Sequence, residues 1–323
     1  MGGFSEHKGD GREDVVRRIS RREFIRICTG TTAGIALLSA LEPYILETLA
    51  EAAEGKPPVI WLQGAGCTGC SVSLLNAVNP PIQKVLLDII SLRFHPTVMG
   101  AAGHLAWHAL EETAAKYPGK YFLVVEGGVP TGDDGIYCTI GEKDGKEITL
   151  LHALKEYGSK AAAIIAAGQC ASFGGIPAAA PNPTTTVGVW EVVEKTPVIN
   201  VPCCPMHPDD FLGTVTYVLR FGELPELDYF NRPKLFFPEQ TIHEGCPRCE
   251  YFAKGIFAKH PGDEGCLAMV GCKGMVAHSR CHVRWWNNHT NWCIRAGAPC
   301  QACSEPGFPD DSGPLYGRYR LHE

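Results

Sequence analysis

The chain has 323 residues, 45% of them hydrophobic, with 15 cysteines and a formal net charge of −6. That length supports one large or two ordinary cores, so the thiols are not there to replace a missing core. The acidic balance excludes a basic footprint for nucleic acid, and no apolar run of 18 or more residues outside the N-terminal region offers a membrane-spanning helix.

The N-terminal segment reads as an address. "RRISRREFIRIC" is basic and "ICTGTTAGIALLSAL" is apolar over the length of a signal-peptide core. Ser20-Arg21-Arg22-Glu23-Phe24-Ile25 resembles the twin-arginine export signal. The alternative is a basic amphipathic helix. Residues 1–52 are assigned to the signal, the first twenty as disordered, with cleavage around Ala50 to Gly55. Export would ordinarily favour disulfides. The twin-arginine route carries folded proteins, so thiolates already holding metal would be protected from oxidation. Cys28 lies in the signal and leaves the count.

From Pro57 to about Gly222, short apolar runs alternate with helical patterns. "PVIWL", "YFLVVEG", "AAAIIAAG" and "PVINV" are expected as buried strands. "SLLNAVNPPIQKVLLDII", "HLAWHALEETAAKY", "LLHALKEYG" and "DDFLGTVTYVLRFG" are expected as helices, with Pro80-Pro81 interrupting or starting one. Alternation of this kind predicts a doubly wound parallel α/β sheet over residues 53–235. From residue 236 to 323 Gly, Pro, Cys, His and Trp crowd in and periodicity fades. Metal ligation is the natural organiser of such a segment, because it supplies folding free energy directly.

The thiols fall where chemistry needs them. Cys67 and Cys70 form C-T-G-C after the first expected strand, Cys170 follows the third, and Cys204 follows the fourth. Open α/β sheets place ligands at the carboxyl ends of their strands. Gly64, Gly66 and Gly69 allow close backbone approach there. Four such thiolates suit a [4Fe–4S] cube, although a lone C-x-x-C also fits a redox pair, and buried cysteines also occur as inert core residues. The second region carries Cys246, Cys249, Cys266, Cys272, Cys281, Cys293, Cys300 and Cys303, with His243 nearby. Its C-x-x-C pairs fit structural zinc by spacing, but nine donors are enough for two clusters.

These residues match a known family. From about residue 57 onward the chain resembles the small, electron-transferring subunit of nickel–iron hydrogenases, through "CTGCS", "VEGGVP", "GQCASFGGIP", "VPCCPMHPD", "IHEGC", "GCKG" and "PCQACSEPGFPD". The resemblance implies a flavodoxin-like domain with a proximal cluster, then an irregular domain with two more. By motif the proximal ligands are Cys67, Cys70, Cys170 and Cys204, and the distal ones His243, Cys246, Cys266 and Cys272. The medial ones are Cys281, Cys300 and Cys303. In most members the position of Cys293 is proline and the medial cluster is [3Fe–4S]. Cys293 adds a fourth thiolate, so three [4Fe–4S] clusters are expected, with a medial [3Fe–4S] as the alternative. That cysteine, "GCTGCSVSLLN" and "GFPDDSGPLY" look like the selenium-containing branch.

Several positions depart from the family pattern. Cys203 stands where the family usually has glycine, Cys249 is an extra thiol that could replace His243, and Cys138 has no expected chemistry. Gly69 and Gly175 occupy the positions where the oxygen-tolerant branch adds cysteines. The resemblance further implies a catalytic large subunit holding nickel and iron, or nickel, iron and selenium. The electron partner would be a periplasmic multihaem c-type cytochrome or a membrane electron-transfer protein. Glu244, Arg248, Glu250, Lys254 and Lys259 near the distal motif are mixed in sign and do not choose a partner's charge. Hydrogen at neutral pH lies near roughly −410 mV, within the range of Fe–S centres. The other readings are an exported Fe–S subunit of a different oxidoreductase and a zinc- or disulfide-stabilised binding protein.

Overall fold

The computed structural model describes residues 20–29, 56–78 and 80–310. The rest of the expected signal, its cleavage region and the chain beyond Asp310 lie outside the described residues. The strands among the described residues are β1 (Pro58–Gln63), β2 (Ser91–Phe94), β3 (Phe122–Glu126), β4 (Val129–Pro130), β5 (Thr139–Lys143), β6 (Lys146–Thr149), β7 (Ala163–Ala167), β8 (Thr186–Val187) and β9 (Val198–Val201). Helices that bear on the site are α1 (Arg21–Thr29), α2 (Gly69–Leu75), α3 (Gly103–Lys116), α4 (Gln169–Phe173) and α5 (Pro208–Phe221).

Five strands form one parallel sheet in the order β2-β1-β3-β7-β9. Counted by the sheet's own strands this is 2-1-3-4-5, the flavodoxin-like doubly wound order. The strands are apolar throughout because both faces are covered. Ile60, Leu62, Leu123, Val125 and Ile164 pack into one core with α3. Val59, Trp61, Val124, Ile165, Ile199 and Val201 pack into the other with α5. The alternation follows the two-residue period of a strand.

The four expected strands lie in this sheet, and the differences elsewhere have local causes. The expected helix over 73–90 is two pieces: α2 stops at Leu75, and a second helical segment starts after Pro81, whose backbone is extended. Proline fixes that break. The helix over 150–158 begins at Thr149, whose hydroxyl accepts from the His152 N–H at 3.3 Å. Strand β2 was not expected, because "SLRF" abuts a helical apolar run and blurs the period. The β5–β6 hairpin was also missed, although its Asp144-Gly145 turn, with both φ angles positive, is a strong hairpin signal.

Helix α1 holds the twin-arginine-like residues and is capped by reciprocal bonds between Ser20 and Glu23. Phe24 is buried edge-on against Tyr217 and Phe221, and Arg21 pairs with Glu223 at 2.7 Å.

Beyond Phe236 the backbone is irregular: the longest helix among the described residues there, α6 (Cys249–Ala253), has five residues. Ile242, Leu267, Ala277, Trp292 and Ile294 form a small core against which Cys246, Cys272 and Cys281 pack. Arg232 fastens this region to the sheet. Its buried guanidinium donates to Asp228 at 2.7 Å, to the Ser304 carbonyl at 2.9 Å and to Glu305 at 3.1 Å, between the rings of Phe230 and Phe237. Arg232→Ala strands two carboxylates in a poorly solvated site. It is expected to cost about 3–5 kcal/mol, read by chemical denaturation, and Arg232→Lys should recover little because the forked geometry is lost.

Candidate iron–sulfur sites

The carboxyl ends of β1, β3, β7 and β9 form one edge, and the first group of thiols gathers there. Cys67 and Cys70 sit on the turn from β1 into α2, Cys170 on α4 after β7, and Cys204 after β9. Burial pushes the Cys70 thiol well up, with Glu126, Cys170 and Cys204 adding to the rise. Burial likewise brings Cys170 up to about 11, with Cys67 adding, and Cys204 up to about 12, with Cys303, Cys170 and Cys67 adding. The four therefore lie within electrostatic reach of one another. Their thiolates need a compensating positive charge, which metal supplies. Cys67 and Cys204 are exposed.

Glycines make the cradle. A methyl group at Gly168 would sit 2.2 Å from the Cys70 sulfur, one at Gly175 3.0 Å from the Cys170 sulfur, and one at Gly69 3.1 Å from the Cys67 sulfur. Gly64 differs from the expectation. Its backbone is crowded by Leu150 and the Gly128 carbonyl and its N–H donates to the Glu126 carbonyl, so it serves the close pairing of the chain after β1 with the chain after β3 and not the thiols. The Met206 N–H points at the Cys70 sulfur at 3.4 Å.

Glu126, quoted within a motif but given no role by the sequence, organises this turn. Its carboxyl group is buried and accepts from the N–H groups of Cys70 and Ser71 at 2.9 and 3.0 Å, from Trp61 Nε1 at 3.1 Å, from Gln63 Nε2 at 3.2 Å and from the Ser71 hydroxyl. It fills the N-terminal end of α2, where unpaired N–H groups favour an acceptor. A glutamate ending a buried strand just before Gly-Gly was the available signal. Glu126→Ala is expected to destabilise the protein by at least about 3 kcal/mol, since hydrogen bonds to charged groups are worth about 1.5–3 kcal/mol each. A denaturation midpoint within error of the parent would contradict this.

The second group surrounds the small C-terminal core. Cys246 is pushed up by burial, with Cys272, Cys266 and Cys249 adding. Cys272 is pushed up by burial, and the Gly274 and Cys300 N–H groups oppose this. The Arg248 N–H points at the Cys246 sulfur at 3.4 Å. His243 Nε2 lies 3.6 Å from the Cys249 sulfur, and the imidazole meets the Phe252 ring edge. This group thus contains His243, Cys246, Cys266 and Cys272, with Cys249 beside the histidine.

The third group joins the first two. Burial raises Cys281 to about 12, with Cys303 adding, Ser279 at 3.2 Å opposing and Cys293 adding. Cys293 is raised by burial and then by Cys303. Cys300 is raised well above the usual thiol range by burial, with Cys272, Cys303 and Cys281 adding. The Cys300 N–H donates to the Cys272 sulfur at 3.3 Å, and Cys303 adds to the rise of the Cys204 thiol. The third group is therefore hydrogen-bonded to the second and within electrostatic reach of the first.

All fourteen described cysteines are free. Among the described residues no three His, Cys, Asp or Glu side chains are close enough to hold a single metal ion. One tetrahedral zinc would draw its sulfurs to roughly 3.8 Å apart, given a Zn–S distance of about 2.3 Å. The gathering of thiols, backed by glycine cradles and N–H donors to sulfur, fits iron–sulfur ligation.

Comparison with known proteins agrees. Residues 67–218 match the family of the NADH ubiquinone oxidoreductase 20 Kd subunit, and residues 239–316 match the C-terminal family of the NiFe/NiFeSe hydrogenase small subunit. The periplasmic [NiFeSe] hydrogenase small subunit of Desulfomicrobium baculatum is 45% identical over 314 residues, covering 92% of this chain and 98% of the relative. The chain belongs to the NiFe/NiFeSe hydrogenase small-subunit family. The uptake hydrogenase small subunit of Azotobacter vinelandii is 43% identical, covering 94% and 85%. A chain of the oxidised recombinant [NiFeSe] hydrogenase from Desulfovibrio vulgaris Hildenborough superposes with a TM-score of 0.78 at 45% identity, over 82% of this chain and 99% of that one.

Within this hydrogenase small subunit the spare thiols have distinct settings. Cys138 packs against the sheet core and its thiol is raised by burial alone. Cys249 borders the second group. Cys203 is buried beside Cys303, between the first and third groups.

Proposed function

We propose that this hydrogenase small subunit conducts electrons through three [4Fe–4S] clusters, proximal, medial and distal, between a nickel–iron or nickel–iron–selenium centre in a large subunit and an external redox protein. Cys67, Cys70, Cys170 and Cys204 hold the proximal cluster, and Cys281, Cys293, Cys300 and Cys303 the medial one. His243, Cys246, Cys266 and Cys272 hold the distal cluster, with Cys249 as a neighbour of the histidine. When bound, each cluster supplies a one-electron carrier whose potential the protein tunes.

What supports this reading is the Cys300 N–H bond to the Cys272 sulfur, which links the third donor set to the second, together with the electrostatic reach of Cys303 to Cys204, which links the third to the first. Both links are consistent with three donor sets arranged in a row. The exposed ends fit the two terminals. Beside Cys67, α2 and its neighbours leave Val72, Leu75, Val78, Leu87 and Val98 exposed, an apolar surface of the kind a permanent partner covers. This is the large-subunit face. At the other end the side chains around His243 are mixed in charge, and Arg248 is committed to the carbonyls of Asp263 and Gly265. A multihaem c-type cytochrome or membrane electron-transfer partner docks there.

Residues 1–52 direct export by the twin-arginine pathway to the periplasm, residues 53–235 form the flavodoxin-like domain, and residues 236–323 form the cluster-bearing domain. Among the described residues no helix is long and apolar enough to cross a membrane. The test is anaerobic purification of the heterodimer and analysis of iron and acid-labile sulfide. About twelve of each should be attributable to this chain, four per cube. Zinc or cystine with almost no inorganic sulfide would sink the reading.

A further inference from the structure

Helix α1 carries the twin-arginine-like residues, and it lies on the folded domain. At nine residues it is marginal by itself, so packing has to hold it. The side chain that does so is Phe24, 5% exposed. Its ring stands edge-on to Tyr217 at 5.8 Å and to Phe221 at 5.7 Å between centroids, both on the last turns of α5. Those two rings also pack on each other at 4.8 Å, so Phe24 completes a three-ring cluster.

Charge adds orientation. The Arg21 guanidinium pairs with Glu223 at 2.7 Å and stands 5.7 Å from the centroid of the Phe221 ring. Glu223 also accepts from the Tyr217 hydroxyl at 3.4 Å. Arg21 thus meets the C-terminal end of α5, where unpaired carbonyls favour a cation. An exposed ion pair holds little alone; here it orients a helix that Phe24 anchors. Residues 30–55 are enough chain to reach on the order of 80 Å, so the tether does not impose this contact. Tethering does raise the local concentration of the helix, which keeps a small contact populated. Arg22 and Ile25 are exposed.

We propose that the C-terminal turns of α5 are a docking site for the leader helix α1, and that this docking withholds the twin-arginine motif from the export receptor until α1 is displaced. This rests on the export reading of residues 1–52. Arg21 and Phe24 are two of the motif's own residues. A receptor that reads them has to draw them off Glu223, Tyr217 and Phe221 first. The site exists only in the folded domain, because α5 is seated on the sheet through Phe211, Leu212 and Val218. Once the leader is cleaved the site is uncovered, and electron transfer does not depend on it.

The experiment uses the full-length precursor with its leader uncleaved, purified from cells whose export is blocked. Trypsin needs an unwound chain to cut after Arg22 and Arg26, so the rate of those cuts, read by mass spectrometry, reports the undocked fraction. Phe24→Ala alters nothing in the mature domain, whereas Phe221→Ala and Glu223→Gln alter the site. Leader cleavage should rise about tenfold or more in Phe24→Ala and Phe221→Ala, the factor that burying a phenylalanine is worth, and less in Glu223→Gln. Cuts within the folded domain should keep the parent's rate. Should Phe221→Ala fail to fold, the other two variants still decide. In cells, Phe221→Ala and Glu223→Gln precursors should reach the periplasm faster than the parent. A parent leader cut as fast as that of Phe24→Ala overturns the docking. A released leader with an unchanged export rate overturns the withholding. Normal export of Arg21→Lys combined with Arg22→Lys would refute the underlying twin-arginine reading, and the proteolysis would still decide the docking.

Discussion

Cys293→Pro is expected, on the ligand assignment proposed above, to remove one iron from the medial cluster and produce the EPR signal of an oxidised [3Fe–4S] centre. On that assignment Cys281, Cys300 and Cys303 would be left as ligands, and a corner without a thiolate loses its iron. Cys293 is exposed in the chain taken alone, with a thiol raised by burial and by nearby Cys303, so its sulfur faces the set while its backbone lies at the rim. Trimming it leaves the core of Trp292 and Ile294 in place. Cluster type is a main determinant of potential, and the medial midpoint should rise on the order of 100 mV or more, where 100 mV is roughly fiftyfold in a one-electron equilibrium. The electron would then rest at the medial site, and hydrogen production should fall more than hydrogen oxidation. Cys293→Ala should behave alike, which separates loss of the thiolate from any effect of the proline ring. A [3Fe–4S] signal already present in the intact parent would remove the basis of this expectation.

Gly168→Ala should abolish the proximal cluster. The backbone there has φ +89°, and the added methyl would fall 2.2 Å from the Cys70 sulfur. Neither side can yield. The Gly168 N–H donates to the Val201 carbonyl at 2.8 Å and its carbonyl accepts from Ser172 at 3.0 Å. Cys70 is tethered by its N–H to Glu126 at 2.9 Å. Iron should drop by about four per heterodimer, the proximal EPR features should vanish, and electron transfer from the partner should fall to background. Gly103→Ala is the control. It also has positive φ, at +56°, but no atom lies within 4 Å of the new methyl. It should cost about 1–2 kcal/mol of backbone strain and retain all its iron. Full iron in Gly168→Ala would mean that the Cys70 sulfur is not held where it is described.

The two regions were legible to different degrees for a physical reason. Strands β1, β3, β7 and β9 announce themselves because a sheet covered on both faces demands unbroken apolar runs. Strand β2 and the β5–β6 hairpin did not stand out: the first is four residues beside a helical run, and the second is partly exposed, so neither has a burial pattern strong enough to read. The thiols after β1, β7 and β9 were legible because ligands gather at the carboxyl edge of such sheets. Grouping the C-terminal thiols needed the family resemblance, since an irregular chain has no period from which to compute neighbours.

By itself the sequence determined the alternating α/β order, the cysteines available at the sheet edge, the export-like N-terminus and the family, because these follow from local pattern and motif. Only the tertiary structure decided that Glu126 ties the C-T-G-C turn, that Gly64 serves the close pairing of the segments after β1 and β3, and that Arg232 locks the two regions together. It also packed Cys203 with Cys303, and set Cys300 to donate to a sulfur of the neighbouring group. Those relations join residues up to about a hundred positions apart, and such distant contacts are set by how buried surfaces pack, which no local pattern encodes.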